Sequence, residues 1–84
     1  MFSFIEFEDY VVGPVDSLCE NGMIDNVEEC EEAANQLNID FGGEDAVSYY
    51  PGGCFVYEGK VVYFNTNFNG TSDNNSQPIC GIGN

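Results

Sequence analysis

At 84 residues the chain has the length of one domain, and a chain that short buries only about 60% of its unfolded surface, a thin core that needs covalent staples. Fifteen acidic side chains face one basic residue, Lys60, for a net charge of −14, which excludes nucleic-acid binding, because phosphate contacts need Lys or Arg, and disfavours anionic membrane surfaces. No apolar run approaches the roughly 20 residues of a membrane span, and the acidic start MFSFIEFEDY is no signal peptide, so the sequence reads as a mature form, an excised module or one unit of a longer chain.

Cys19, Cys30, Cys54 and Cys80 are even in number, spread along the chain, and form no Cys-x-x-Cys pair. With no histidine to complete a zinc site, two disulfides are expected, and with them an oxidising, extracellular or cell-surface location. The excess of carboxylates keeps such a protein soluble; its sharper alternative use is to hold Ca²⁺ or a basic partner.

In chain order, residues 1–12 read as a strand with Phe2 and Phe4 on one face and Ile5 and Phe7 on the other, ended by Gly13-Pro14. Residues 1–15 are accordingly assigned to an N-terminal strand or arm and residues 16–84 to the module proper. Two uses of the arm remain open: an edge strand that covers the molecule's own sheet, or an aromatic strand added to the sheet of a neighbouring copy. Residues 16–22 carry Cys19 into a loop closing on Asn21-Gly22.

A helix follows, capped by Asp25 or Asn26, with Val27, Cys30, Ala34 and Leu37 forming one apolar stripe. Glu28, Glu29, Glu31 and Glu32 lie off the stripe, where the helix dipole favours them and their mutual repulsion partly offsets the gain. As exposed neighbours they have no burial to shift their pKa values, which argues against a catalytic carboxylate pair. In NIDFGGEDAVS, Gly42-Gly43 break a segment that fits either a short strand or a loop, and Asp40, Glu44 and Asp45 lack the regular spacing of an EF-hand.

Residues 49–65, YYPGGCFVYEGKVVYFN, form the strongest local signal. Tyr50-Pro51-Gly52-Gly53 breaks the chain, and the β-branched and aromatic runs on either side of Glu58-Gly59 predict a β-hairpin. A two-residue primed turn and a longer bulged turn both fit. Under either, Cys54 and Val56 point one way and Phe55 and Tyr57 the other, so both faces are apolar and need two covers. The following NTNFNGTSDNNSQP has loop composition and two glycosylation sequons, at Asn69 and Asn74. Calcium ligation by Asp73 and neighbouring amide oxygens is the lesser use of this loop.

Four cysteines allow three connectivities, and spacing alone does not choose among them. The helix stripe helps, because Cys30 lies on the face that must pack on the hairpin that Cys54 begins. A Cys30–Cys54 bridge would staple helix to sheet, leaving Cys19 and Cys80, both read as loop residues, to close the compact region.

Glu29-Cys30-Glu31 followed by Ala33-Ala34, then Pro51-Gly52-Gly53-Cys54, Val62-Tyr63-Phe64-Asn65 and a final Cys80 together resemble a small four-cysteine module of secreted and cell-surface proteins of algae and other protists. The pattern is also loosely similar to PAN/apple domains, in which a cysteine-bearing helix is bridged to a β-sheet. The resemblance covers residues 19–80 and implies an extracellular, non-catalytic interaction or structural module; the short length and Asn-rich final loop depart from PAN/apple domains.

The expected fold is therefore a small disulfide-stapled α+β domain, one helix packed on an antiparallel sheet built around the hairpin. The expected function is a non-catalytic structural or assembly module, such as the repeating subunit of a glycosylated filament or surface coat, self-associating through Phe2, Phe4 and Phe7. No nucleophile–base pair is identifiable. The alternative is a carbohydrate- or protein-binding adhesion module using Phe55, Tyr57 and Tyr63 as a stacking face, with Ca²⁺ dependence as a further variant. N-linked glycans are expected, no other cofactor, no nucleic acid and no membrane insertion.

Overall fold

The computed structural model describes residues 10–82, so Phe2, Phe4, Ile5 and Phe7 lie outside the described residues. The elements in chain order are β1 (Tyr10–Val12), α1 (Val27–Leu37), β2 (Asp40–Asp45), β3 (Gly53–Tyr57), β4 (Val61–Asn65) and β5 (Ser76–Gly81). One helix packs on a five-stranded sheet of order β1-β5-β3-β4-β2, a small α+β domain stapled by two disulfides.

The hairpin pairs Cys54 with Phe64, Phe55 with Tyr63 and Val56 with Val62. Its turn combines the two geometries left open by the sequence. Glu58 and Gly59 both take positive φ, at 54° and 68°, and the Lys60 N–H bonds the Tyr57 carbonyl at 2.9 Å. Tyr57 nonetheless pairs with Val61, which leaves Lys60 as an extra residue in the turn.

Helix α1 starts where Asn26, in extended conformation, accepts the Glu29 backbone N–H on Oδ1 at 2.8 Å, which decides between the two candidate caps. It ends at Asn38, whose left-handed φ of 62° lets its N–H return to Ala34 and Asn35 carbonyls. Cys30, Ala33 and Ala34 are its buried residues. Ala33 widens the expected stripe, while Val27 and Leu37 pack against the core's margin. The small alanines let the helix lie close on Cys54, Val56, Val62, Phe64 and Ile79, the inner face of the sheet.

The sheet is mixed, not wholly antiparallel, because β2 pairs in parallel with β4. The GG-containing acidic segment is thus an edge strand rather than a loop, and its register shifts between Phe41 and Gly43. A Cβ on Gly42 would lie 2.6 Å from the Tyr63 ring and from Val61 Cγ1; glycine leaves that ring its room on the outer face.

The Asn-rich segment also yields a strand. β5 runs between β1 and β3, so Cys80 is a strand residue rather than the loop residue expected. Residues 76–78 pair with β3 and residues 79–81 with β1, so Pro78 falls at the changeover. Its carbonyl accepts the Gly13 N–H at 2.8 Å. Since N and O of one strand residue face the same side, the missing N–H of Pro78 faces the Gly13 carbonyl just past β1, and the Gln77 Nε2 donates to that carbonyl instead at 3.0 Å. The arm expectation changes accordingly: Tyr10–Val12 extends the sheet in its own plane at an edge, and Tyr10 is buried in the inner core.

The bridges are Cys30–Cys54, joining helix to hairpin, and Cys19–Cys80, joining the loop after β1 to β5, with Cα separations of 5.4 and 5.8 Å. Two disulfides fit an oxidising compartment. No described helix is long and apolar enough to cross a membrane.

Candidate ligand-binding face

The parallel placement of β2 creates the feature that shapes the outer face. Because β4 lies between β2 and β3, the chain leaving β2 must arch over the end of β4 before entering β3, and residues 46–52 form that arch. Its backbone groups have no strand partner there. Asn65, at the end of β4 and fully buried, supplies one. Its Nδ2 donates to the carbonyls of Val47, Tyr50 and Pro51 at 2.8, 3.1 and 3.1 Å. Its Oδ1 accepts the N–H groups of Val47 and Asn67 at 3.0 and 3.1 Å. Among the described residues no buried side-chain nitrogen or oxygen lacks a partner.

The arch so held carries Tyr50 onto the outer face, where its ring stacks on Phe55 at 5.5 Å and 22° and meets Tyr57 edge-on at 5.7 Å and 78°. Phe55 is buried at 1% exposure and also meets Tyr63 at 5.8 Å. The second cover that the hairpin needs is therefore supplied in part by Tyr50, a residue the sequence presented only as a strand breaker. Tyr50, Phe55, Tyr57, Tyr63 and Asp45 line a cavity of about 220 Å³. Phe55 is its buried part, and Tyr50, Tyr57 and Tyr63 are half-buried around it.

Electrostatics at this cup are one-sided. Desolvation, then the neighbouring Tyr57 and its hydrogen bond, then Asp73 and Tyr49, raise the Tyr50 hydroxyl pKa above its ordinary value. Asp45 brings a carboxylate, and its backbone carbonyl is anchored by the N–H and hydroxyl of Thr66 at 2.8 and 3.1 Å.

Of the residues singled out in the sequence, Phe55, Tyr57 and Tyr63 come together here, while Phe2, Phe4 and Phe7 lie outside the described residues. Tyr50, Asp45 and Asn65 are the additions. The pairing of Tyr50 with Pro51 carried a weak signal, since Pro fixes the arch; nothing local marks Asn65 as a buried hub. Among the described residues no cluster of three or more metal-ligating side chains occurs, and Asp40, Glu44 and Asp45 lie along the edge strand β2.

The two sequons differ in setting. Asn69 and Thr71 are exposed, on a loop braced by the Thr71 N–H and hydroxyl on the Ser48 carbonyl, both at 3.2 Å. Asn74 is exposed too, but the hydroxyl of its sequon belongs to Ser76, which is fully buried and donates to Asp73 at 2.9 Å. Expression through a eukaryotic secretory pathway should therefore give high glycan occupancy at Asn69 and lower, folding-dependent occupancy at Asn74. Site-resolved mass spectrometry checks this, and equal occupancy at both sites would contradict it.

The chain matches no protein-family model, no curated protein and no solved structure.

Proposed function

We propose that the chain is a non-catalytic extracellular binding module whose ligand-facing surface is the aromatic cup of Tyr50, Phe55, Tyr57 and Tyr63. The observation that carries this reading is the cup itself: three half-buried tyrosines and a carboxylate collected on the sheet face opposite the helix. Covering Phe55 uses part of these rings, yet Tyr50, Tyr57 and Tyr63 stay only half-buried, apart from the helix-side core of Cys54, Val56, Val62 and Phe64. Flat apolar area with polar edges serves both sugar stacking and cation recognition. Two disulfides and exposed sequon asparagines support a secreted glycoprotein. The resemblance to small four-cysteine modules of secreted proteins agrees with this reading.

The test is to screen glycans and extracellular proteins against the wild type and Tyr57→Ala. A ligand lost by Tyr57→Ala and retained by the helix-face variant Glu31→Gln supports the cup, and ligands that survive Tyr57→Ala overturn it.

Assembly through the N-terminal arm is the second reading, favoured by the position of β1 at one end of the strand order, directly after the aromatic residues 1–9. A filament or coat subunit would use that edge. Sedimentation of the full chain and of a variant lacking residues 1–9 decides it: a concentration-dependent oligomer lost on deletion supports assembly, and two identical monomers sink it.

A further inference from the structure

The cup's shape and surroundings narrow its ligand. The rings do not form a flat platform: Tyr50 lies 22° from Phe55 but 78° from Tyr57, and Phe55 lies 34° from Tyr63. Rings set at such angles around about 220 Å³ form a cage for one compact group rather than a plane for a sugar ring. A sugar also needs several amide or carboxylate partners for its hydroxyls, and the lining offers one carboxylate, Asp45, with the tyrosine hydroxyls.

Charge points the same way. Asp73 is near enough to act on the Tyr50 hydroxyl, and Asp40 and Glu44 share strand β2 with Asp45. The sequence has fifteen acidic residues and only Lys60 to offset them, so the field around the cup draws cations.

We infer that the cup binds an arginine side chain presented by a basic segment of a partner protein, the guanidinium lying against the tyrosine rings with its N–H fork toward the Asp45 carboxylate. Arginine fits better than lysine because its planar, weakly hydrated cation stacks on aromatic faces and pairs with a carboxylate through two parallel hydrogen bonds. The surrounding carboxylates steer the basic segment, and the cup selects the side chain. This inference rests on the binding-module reading above.

The test uses a Gly-Ser-spaced peptide carrying three arginines and its counterpart with citrulline, which keeps the shape and loses the charge. Binding is followed by backbone amide shifts and calorimetry at low and at physiological salt. The arginine peptide should shift the resonances of Tyr50, Tyr57 and Tyr63 and bind about ten-fold or more tightly than the citrulline peptide.

Two variants separate the cup from bulk charge. Asp45→Asn changes the net charge by one in fourteen, and Tyr57→Ala does not change it. Both should weaken the arginine peptide about ten-fold, while Glu31→Gln, on the exposed side of α1, should leave it within two-fold. Loss of affinity that tracks net charge alone, with Tyr57→Ala binding as the wild type does, overturns the inference. Neutral oligosaccharides that shift the cup while the arginine peptide does not would also overturn it, yet leave the cup a binding site. No shift at the cup with either probe counts against both readings.

Discussion

Replacing Asn65 by Leu should lower stability by about 3–5 kcal/mol, a thermal shift of roughly 15–30 °C in a domain this small. The side chain makes five hydrogen bonds that close the arch. Leu fills a similar volume, so the loss comes from stranded backbone groups of Val47, Tyr50, Pro51 and Asn67 rather than from a cavity. Asn65→Asp is the sharper substitution. It keeps the shape and the acceptor but sets a carboxylate oxygen against three carbonyl oxygens in a site with no exposure.

The pH dependence of Asn65→Asp follows from that geometry. The site disfavours the charged carboxylate, so its folded pKa is raised above the unfolded value of about 3.9. The variant is then most stable below about pH 4 and loses stability as pH rises through the folded pKa. Melting of both variants from pH 3 to 7 checks the claim. Equal melting of Asn65→Asp and wild type at pH 7 would refute the hub. The cup should fail in step, because Tyr50 is held over Phe55 by the same arch.

What the sequence disclosed and what it withheld follow from the range of the interactions. The hairpin and the helix were legible because their signals are local: β-branched and aromatic runs around Glu58-Gly59, and a stripe at helical spacing after Asn26. The helix-to-hairpin staple could be argued because Cys30 and Cys54 sit on local patterns that must face each other. β5 was obscured by Pro78 and by the polar run before it, since the donor Pro78 lacks is replaced by the Gln77 side chain on the Gly13 carbonyl across the sheet. No local feature reports that. β2 was obscured by its glycines, although the need for Gly42 lies in the ring of Tyr63 across the sheet.

The cup was half legible for the same reason. Alternation along β3 places Phe55 and Tyr57 on one face under either turn, whereas Tyr63 joins them only in the three-residue-turn register that pairs it with Phe55. Tyr50 and Asp45 join them only because β2 runs parallel to β4, which forces the arch. Asn65 is readable only after the arch is known, because four of its five hydrogen bonds reach backbone groups 14 to 18 residues away.

The two disulfides should differ in importance, in the order opposite to their loop lengths. Chain entropy alone ranks the outer bridge higher: a separation of 61 residues for Cys19–Cys80 gives about 4.3 kcal/mol, and 24 for Cys30–Cys54 about 3.4 kcal/mol. That difference of roughly 0.8 kcal/mol is smaller than what burial adds. Cys30 and Cys54 are 0% and 1% exposed at the centre of the core beside Ala33, Ala34 and Val62, whereas Cys19 is only half-buried. Removing the inner pair leaves a void between helix and sheet that should cost about 2 kcal/mol or more beyond the entropy. Cys30→Ala/Cys54→Ala should therefore approach the whole stability expected of a small domain, about 5 kcal/mol. Cys19→Ala/Cys80→Ala should stay folded, with protection from hydrogen exchange lost around residues 14–22 and kept in α1, β3 and β4. Mild reduction should likewise open Cys19–Cys80 first, because reductant reaches the partly exposed sulfur before the buried pair. Thermal melts of the two double variants, with alkylation mapping of the partly reduced protein, decide the matter. A less stable Cys19→Ala/Cys80→Ala, or first alkylation at Cys30 and Cys54, would mean that loop entropy and not the packed helix–sheet contact governs this fold.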